Sequence, residues 1–119
     1  MKGTLKSRRA FQHIYDHGRR AIGAHVVVFA TPDEGPSREE PGAAGIVASR
    51  KVGHSPDRSR AKRVLRAALR ELRERNELRG HVILVARRAL IEDGMRSPAI
   101  ARELEPLLQK TGTIQGAES

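Results

Sequence analysis

Apolar residues recur along the chain in runs and in stripes, and the runs predict the strands. Residues 24–31, 44–51 and 81–88 are short apolar runs rich in β-branched residues. Runs of this length and composition are typical of strands in a buried sheet. Residues 32–43 are rich in proline, glycine and acidic residues and are predicted to form a mobile loop. One short additional strand is expected in or near that loop.

The longest apolar stripe predicts a central helix. Ser55 is a candidate N-cap, and Pro56 suits the first helical position, where its missing N–H is not needed. The apolar residues recur at the spacing of one helix face: Val64, Leu65, Ala68, Leu69 and Leu72. The basic residues off this stripe are expected to face solvent: Arg60, Lys62, Arg63, Arg66 and Arg70.

A first helix is predicted near the start of the chain. Ser7 is its candidate N-cap, and Gly18 is its expected end. Phe11, Ile14 and Tyr15 lie on one side of it, with Phe11 and Tyr15 one turn apart on the same face.

A last helix is predicted from Ser97, where serine followed by proline repeats the start signal, to just before Gly112. Its apolar stripe consists of Ile100, Leu104, Leu107 and Leu108. Residues 113–119 are expected to form a frayed tail.

The order helix, strand, strand, helix, strand, helix predicts a small α/β (α+β) sandwich in which helices pack on one sheet. A chain of 119 residues has room for one domain, with an ordered core over residues 5–110. There is no cysteine, which excludes disulfides and thiolate metal sites. No apolar run approaches the roughly 20 residues that span a bilayer, and the N-terminus has no apolar signal region. We therefore expect a soluble cytoplasmic protein with no membrane partner.

The positive charge is concentrated in one segment. The chain carries 23 Lys and Arg against 14 Asp and Glu, a formal net charge of +9. Residues 49–70 contain a single acid, Asp57, among the basic residues Arg50, Lys51, Arg58, Arg60, Lys62, Arg63, Arg66 and Arg70. A structural face usually carries mixed signs, so this segment indicates a polyanionic partner, most simply a nucleic acid. The alternative is a solvated basic face without a partner.

Common catalytic and metal signatures are missing from the sequence. It contains no phosphate-cradling glycine loop, and His25, His54 and His81 have no evident triad partners. His13 and His17 have metal-ligand spacing but lack the H-E-x-x-H pattern, so two exposed histidines are the favoured interpretation. No cluster of carboxylates stands out to hold Mg²⁺. We therefore predict no catalytic residue and no metal ligand on this chain.

The basic segment also carries a family resemblance. Residues 50–53 (RKVG) and 58–66 (RSRAKRVLR) resemble the signature of the bacterial ribonuclease P protein component, in which R-N-R-x-K-R-x-x-R follows a basic pair and a glycine. Residues 5–15 are similar to the opening of the family, and residues 81–88 to its last strand. Ser59 departs from the pattern, because the family has asparagine there, and serine offers fewer hydrogen-bond groups.

The resemblance implies both a fold and an activity. The implied fold is a four-stranded sheet with three helices, like the second domain of ribosomal protein S5, with a left-handed β-α-β crossover around the basic helix. The implied activity is that of an endoribonuclease holoenzyme that removes the 5′ leader from precursor tRNA. Its catalytic RNA subunit holds the Mg²⁺ ions, the protein alone binds none, and one protein accompanies each RNA.

The resemblance also implies two sets of contact residues. Those that bind the RNA subunit would be Arg50, Lys51, Arg58, Ser59, Arg60, Lys62, Arg63, Arg66 and Arg70. A cleft for the single-stranded leader would be lined by Phe11, Tyr15 and Phe29, the only aromatic residues of the chain. The alternative is that these three side chains are ordinary core residues.

Two other functions remain open at this point. A ribosomal or other structural RNA-binding protein would share the arginine-rich helix without needing a leader cleft. A DNA-binding module could place that helix in the major groove of B-DNA, whereas the major groove of an RNA duplex is too narrow.

Overall fold

The computed structural model describes residues 8–31 and 44–114. The elements are α1 Arg8–His17, β1 Arg19–Ile22, β2 Val26–Thr31, β3 Ala44–Val47, α2 Ser55–Arg75, β4 His81–Ala86, α3 Arg88–Glu92 and α4 Ser97–Thr111. The predicted loop at 32–43, the cap at Ser7 and the tail residues 115–119 lie outside the described residues. No helix in the described part is long and apolar enough to cross a membrane.

The strands form one four-stranded sheet in the order β1-β2-β4-β3. The β1–β2 and β2–β4 pairs are antiparallel, while β3 and β4 are parallel neighbours joined through α2. This mixed sheet with packed helices confirms the predicted α+β sandwich and its β-α-β unit. The left hand of that crossover stays a prediction.

The first strand, β1, lies at a position the hydrophobic pattern did not predict. Arg19–Ile22 pairs with β2 through a tight hairpin in which the Gly23 N–H donates to the Val26 carbonyl at 2.8 Å. Only Ala21 of this strand is buried. An edge strand that buries one side chain leaves no apolar run, so the hydrophobic pattern did not reveal β1. The predicted additional strand in or near residues 32–43 lies outside the described residues.

The helices also differ in detail from the prediction. A short fourth helix, α3, follows β4 and buries Leu90, so the predicted count of three helices was wrong for the described residues. The caps are His54 and Arg96 rather than the two serines, and neither cap makes a side-chain hydrogen bond. Serine followed by proline therefore marks each helix start correctly, but the serine is already the first helical residue.

The main core lies between the sheet and the helices α2 and α4. Alternate residues of β2 and β4 point into it, and the helices contribute Leu65, Leu72, Leu104 and Leu108, all fully buried. Leu65 and Leu72 belong to the predicted stripe, which is confirmed except that Val64 is only partly buried. The predicted stripe of α4 is buried throughout.

The end of α4 is anchored rather than frayed. Gly112 adopts the left-handed conformation (φ 82°) that ends the helix, as predicted. Thr113 and Ile114 then fold back, 0% and 1% exposed, and the Thr113 carbonyl accepts a 2.7 Å hydrogen bond from the Arg79 N–H. The predicted tail is therefore wrong at its first two residues, because Ile114 completes the apolar core.

Candidate nucleic-acid interface

The second face of the sheet is covered by α1 over only part of its area. Phe29 of β2, Ile83 of β4 and Gly45 of β3 lie in one register row on this face. The helix α1 packs against β2 and β4 and buries Ile14. Ile14 and Ile83 lie outside the main core cluster, which shows that the sheet separates two apolar layers.

The three aromatic side chains meet in this layer. Tyr15 and Phe29 pack edge to face with ring centroids 4.9 Å apart, and Phe11 lies 6.5 Å from Tyr15. Phe11 lies directly over Gly45, where an added Cβ would clash with the Phe11 ring. Glycine at position 45 thus allows the helix to approach the sheet closely.

The sequence left two interpretations of the aromatic residues open, an exposed cleft or an ordinary core. The structure shows an exposure between these two. Tyr15 is 38% exposed, whereas Phe11 and Phe29 are partly buried. Partial burial raises the pKa of the Tyr15 hydroxyl above its ordinary value of 10.0. The cluster therefore contributes to packing and also presents an aromatic surface to solvent.

An open apolar row continues from the aromatic cluster. Ile22, Val27, Val85 and Val47 are register partners across all strands. Ile22 is 59% exposed, and the valines are only partly buried. Arg20 lies opposite Phe29 and places a cation at the edge of this face. None of these residues was singled out from the sequence, because only the strand register shows that they share a face.

The basic side of α2 faces away from the main core. Ser59, Arg60, Arg63, Arg66 and Arg70 are exposed, which confirms the orientation predicted for the four arginines. Lys62 and Arg58 are partly buried. The opposite side of the helix is buried through Ala61, Leu65, Ala68, Leu69 and Leu72.

The predicted residues Arg50 and Lys51 lie in the connection between β3 and α2. The prediction placed them at a strand end, but β3 already ends at Val47 and the chain then turns. Val52 anchors this connection in the main core, where it is 3% exposed.

A basic cleft of about 750 Å³ opens beside the start of α2. Arg50, Lys51 and Arg58 line it together with Arg88 of α3, which was not predicted. The Arg58 Nε is buried without a hydrogen-bond partner in the described part of the chain. Burying a donor without a partner is unfavourable, and the described residues supply no acceptor for this one.

Titratable groups elsewhere form one compact cluster. His25 is held between Glu103 and Asp93, with its Nδ1 2.6 Å from Glu103 Oε1 and its Nε2 2.7 Å from Asp93 Oδ2.

His13 and His17 are exposed on α1, with ring centroids 4.8 Å apart. Over residues 8–31 and 44–114, no group of three or more His, Asp or Glu side chains is arranged to hold a metal ion.

Comparison with known proteins gives a consistent family. The family model described as Ribonuclease P matches residues 1–112. A protein named ribonuclease P protein component from Symbiobacterium thermophilum is 34% identical over 111 residues, which cover 93% of this chain and 92% of that one. A protein of the same name from Microcystis aeruginosa is 34% identical and is matched over 92% of its length by 94% of this chain.

Solved structures agree with the fold. The RNase P protein from Staphylococcus aureus aligns with a TM-score of 0.76 at 23% identity, over 97% of this chain and all of that one. The RNase P protein from Thermotoga maritima aligns with a TM-score of 0.71 at 23% identity, over 90% and 96% of the two chains.

Proposed function

The chain belongs to the bacterial ribonuclease P protein family and is the protein subunit of that tRNA-processing endoribonuclease; from this premise we propose that its two surfaces bind different RNAs. The basic side of α2 and the adjacent cleft bind the catalytic RNA subunit. The partly open face under α1 binds the 5′ leader of precursor tRNA. The observation that carries the proposal is the contact between the exposed Tyr15 and the partly buried Phe29, which continues into the apolar row on the sheet face opposite the main core.

The charge and geometry of α2 support the first assignment. Arginine presents a planar fork that matches phosphate oxygens, and Arg60, Arg63, Arg66 and Arg70 are exposed along one helix. Arg50, Lys51 and Arg58 extend the surface around the cleft beside the helix start. Ser59 is exposed within this surface, so its hydroxyl can add one hydrogen bond where the family has an amide.

The chemistry of single-stranded RNA supports the second assignment. Unpaired bases stack on aromatic rings, at about 1–3 kcal/mol per base, and are held near cations that neutralise the backbone. Tyr15 and Phe29 provide the rings, while Ile22 and Val27 provide an apolar floor. Arg20 lies beside Phe29, where it can meet the leader phosphates.

Three further parts of the proposal follow the family resemblance. The RNA subunit holds the catalytic Mg²⁺ ions, so hydrolysis uses no side chain of this protein. One protein binds each RNA subunit. The complex acts in the cytoplasm on precursor tRNA. Sedimentation of the reconstituted complex measures the protein-to-RNA ratio directly.

The test of the function is reconstitution of cleavage. The purified protein is added to the catalytic RNA and a precursor tRNA at a low Mg²⁺ concentration, at which the RNA alone cleaves slowly. We expect faster cleavage at the correct 5′ position. A structural RNA-binding protein, which family membership does not favour, would bind the RNA without this gain, and that result would refute the proposal.

A further inference from the structure

A second basic recess lies on the other flank of α2, where α4 begins. Four residues of α2 line it, spaced so that they share one side of the helix: Arg60, Arg63, Val64 and Ala67. Met95 and Arg96 of the loop between α3 and α4 border it on the other side, together with Ser97, the first residue of α4. We call this recess the Arg96 groove; its volume of about 330 Å³ is at the lower end of the range of small-ligand pockets, about 300–1,000 Å³.

The rim of the Arg96 groove carries positive charge that the described residues do not neutralise. Arg60, Arg63 and Arg96 are exposed, and no ion pair between residues of the described ranges includes any of them. Arginines elsewhere on the surface do have carboxylate partners, as in Arg75 with Glu71 and Arg88 with Glu92. Three like charges around one recess repel each other, and an anion placed between them relieves that repulsion.

The floor of the Arg96 groove is apolar. Val64 and Met95 are partly buried and pack against the main core, and Ala67 adds a small side chain between them. A bare phosphate would use the rim and leave this floor exposed to water. A nucleotide has a phosphate for the rim and a flat base whose faces can pack on the apolar floor, so it matches both parts.

We propose that the Arg96 groove binds one unpaired nucleotide of the catalytic RNA, with its phosphate at Arg60, Arg63 and Arg96 and its base on the floor. The proposal rests on the proposed function and adds the α3–α4 loop to the RNA-binding surface. The nucleotide must be unpaired, because a base within a duplex is stacked and cannot reach the floor. Exposed cations continue beyond the groove at Arg66 and Arg70, as expected for a long polyanion rather than for a small acidic ligand.

The first experiment compares two arginines of the same region. Arg96→Ala removes the charge at the groove, and Arg102→Ala removes an exposed charge of α4 that does not line it. Binding to the catalytic RNA is measured over a series of salt concentrations. For Arg96→Ala we expect about tenfold weaker binding and a slope of log affinity against log salt that is shallower by about 0.7–0.9. For Arg102→Ala we expect binding within about twofold of the original protein.

The second experiment locates the nucleotide. Because the chain has no cysteine, Ser97→Cys gives a single attachment point for a photo-crosslinker at the groove, and Arg102→Cys gives the control. We expect the crosslinks from position 97 to map to one unpaired position of the catalytic RNA and to be absent from position 102. Crosslinks confined to paired regions would overturn the proposal.

The outcomes separate this inference from the proposed function. Suppose that the original protein stimulates cleavage while the Arg96→Ala variant binds the catalytic RNA with the same affinity as the original protein. In that case the groove proposal is wrong and the proposed function stands. The Arg96 groove would then bind a different anionic partner, such as an acidic protein. If the original protein fails to stimulate cleavage, the proposed function itself is refuted. Thermal unfolding of each variant tests whether the substitution leaves the protein folded.

Discussion

At the scale of single residues, the His25 side chain is held between two carboxylates. Its side chain is 14% exposed, and both ring nitrogens face carboxylate oxygens within 2.7 Å. The hydrogen bond to Glu103 is the main cause that raises the pKa of His25 above its ordinary value of 6.5, with a further contribution from Asp93 and partial opposition from burial. The same Glu103 accepts a hydrogen bond from the His25 N–H at 2.8 Å, so the cluster fastens the β1–β2 turn to α4.

This cluster predicts a pH dependence of stability. The folded state binds the proton of His25 more tightly than the unfolded state does, so the stabilisation is complete below pH 6.5 and is lost as pH rises through the raised folded pKa. We expect the free energy of unfolding to fall over that interval. The neighbouring cation is Arg87, which follows β4 and donates a hydrogen bond of 2.8 Å to the Gly23 carbonyl.

Urea unfolding at a series of pH values checks this prediction. His25→Gln keeps hydrogen-bonding ability without the titration, and it should flatten the profile between pH 6.5 and the folded pKa of His25. His17→Gln is the matched control, because His17 is exposed on α1. A profile that flattens equally in both variants would show that the loss of stability does not come from His25.

A second residue-scale prediction concerns Tyr15. Tyr15→Ala removes the exposed ring that packs against Phe29, so leader-bearing precursor tRNA should bind the holoenzyme more weakly by about 1–3 kcal/mol. Tyr15→Phe keeps the ring and should retain most of the affinity. Equilibrium binding of precursor and mature tRNA measures the effect, and equal losses for both RNAs would contradict a leader site.

At the scale of elements, the sequence predicts best where one element buries a continuous stripe. The apolar stripe of α2 indicates both its core side and its basic side, since buried and exposed positions follow from the helical period. The strand β1 was missed, because Arg19–Ile22 buries only Ala21. The short α3 was missed for a similar reason, as Leu90 is its only buried residue.

The basic side of α2 gives the prediction at this scale. Arg66→Ala combined with Arg70→Ala should weaken binding to the catalytic RNA and reduce its salt dependence by about 0.7–0.9 in slope for each lost phosphate contact. The preference for leader-bearing over mature tRNA should not change. Arg75→Ala is the control on the same helix, because Arg75 is paired with Glu71 at 3.4 Å. A double variant that keeps the original slope would exclude this side of α2 from the interface.

At the scale of the whole molecule, folding brings together charges that are separate in the sequence. Arg88 joins Arg50 and Arg58 around the cleft beside the start of α2, and Arg96 joins Arg63 at the groove on its other flank. A count of charge along the chain finds only neighbours in sequence, so it identified residues 49–70 and missed the contribution of the α3–α4 region. The apolar row from Ile22 to Val47 was missed for the same reason, because it depends on strand register.

The separation of the two surfaces predicts how mutations combine. Tyr15 lies on the α1 side of the sheet, and Arg66 lies on the outer side of α2, which packs on the opposite face. Distant sites without shared partners usually change free energy additively, within about 0.3–0.5 kcal/mol. The double variant Tyr15→Ala with Arg66→Ala should therefore lower kcat/KM for precursor tRNA by the product of the two single effects.

Single-turnover cleavage at subsaturating enzyme measures all four members of this cycle. The matched pair Tyr15→Ala with Phe29→Ala should deviate from additivity, because those rings contact each other. Coupling between Tyr15 and Arg66 of the same size as that between Tyr15 and Phe29 would mean that one RNA surface, rather than two, extends around the molecule. Two independent RNA sites on opposite sides of one sheet require additive effects for Tyr15 with Arg66. They also require coupling between Tyr15 and Phe29.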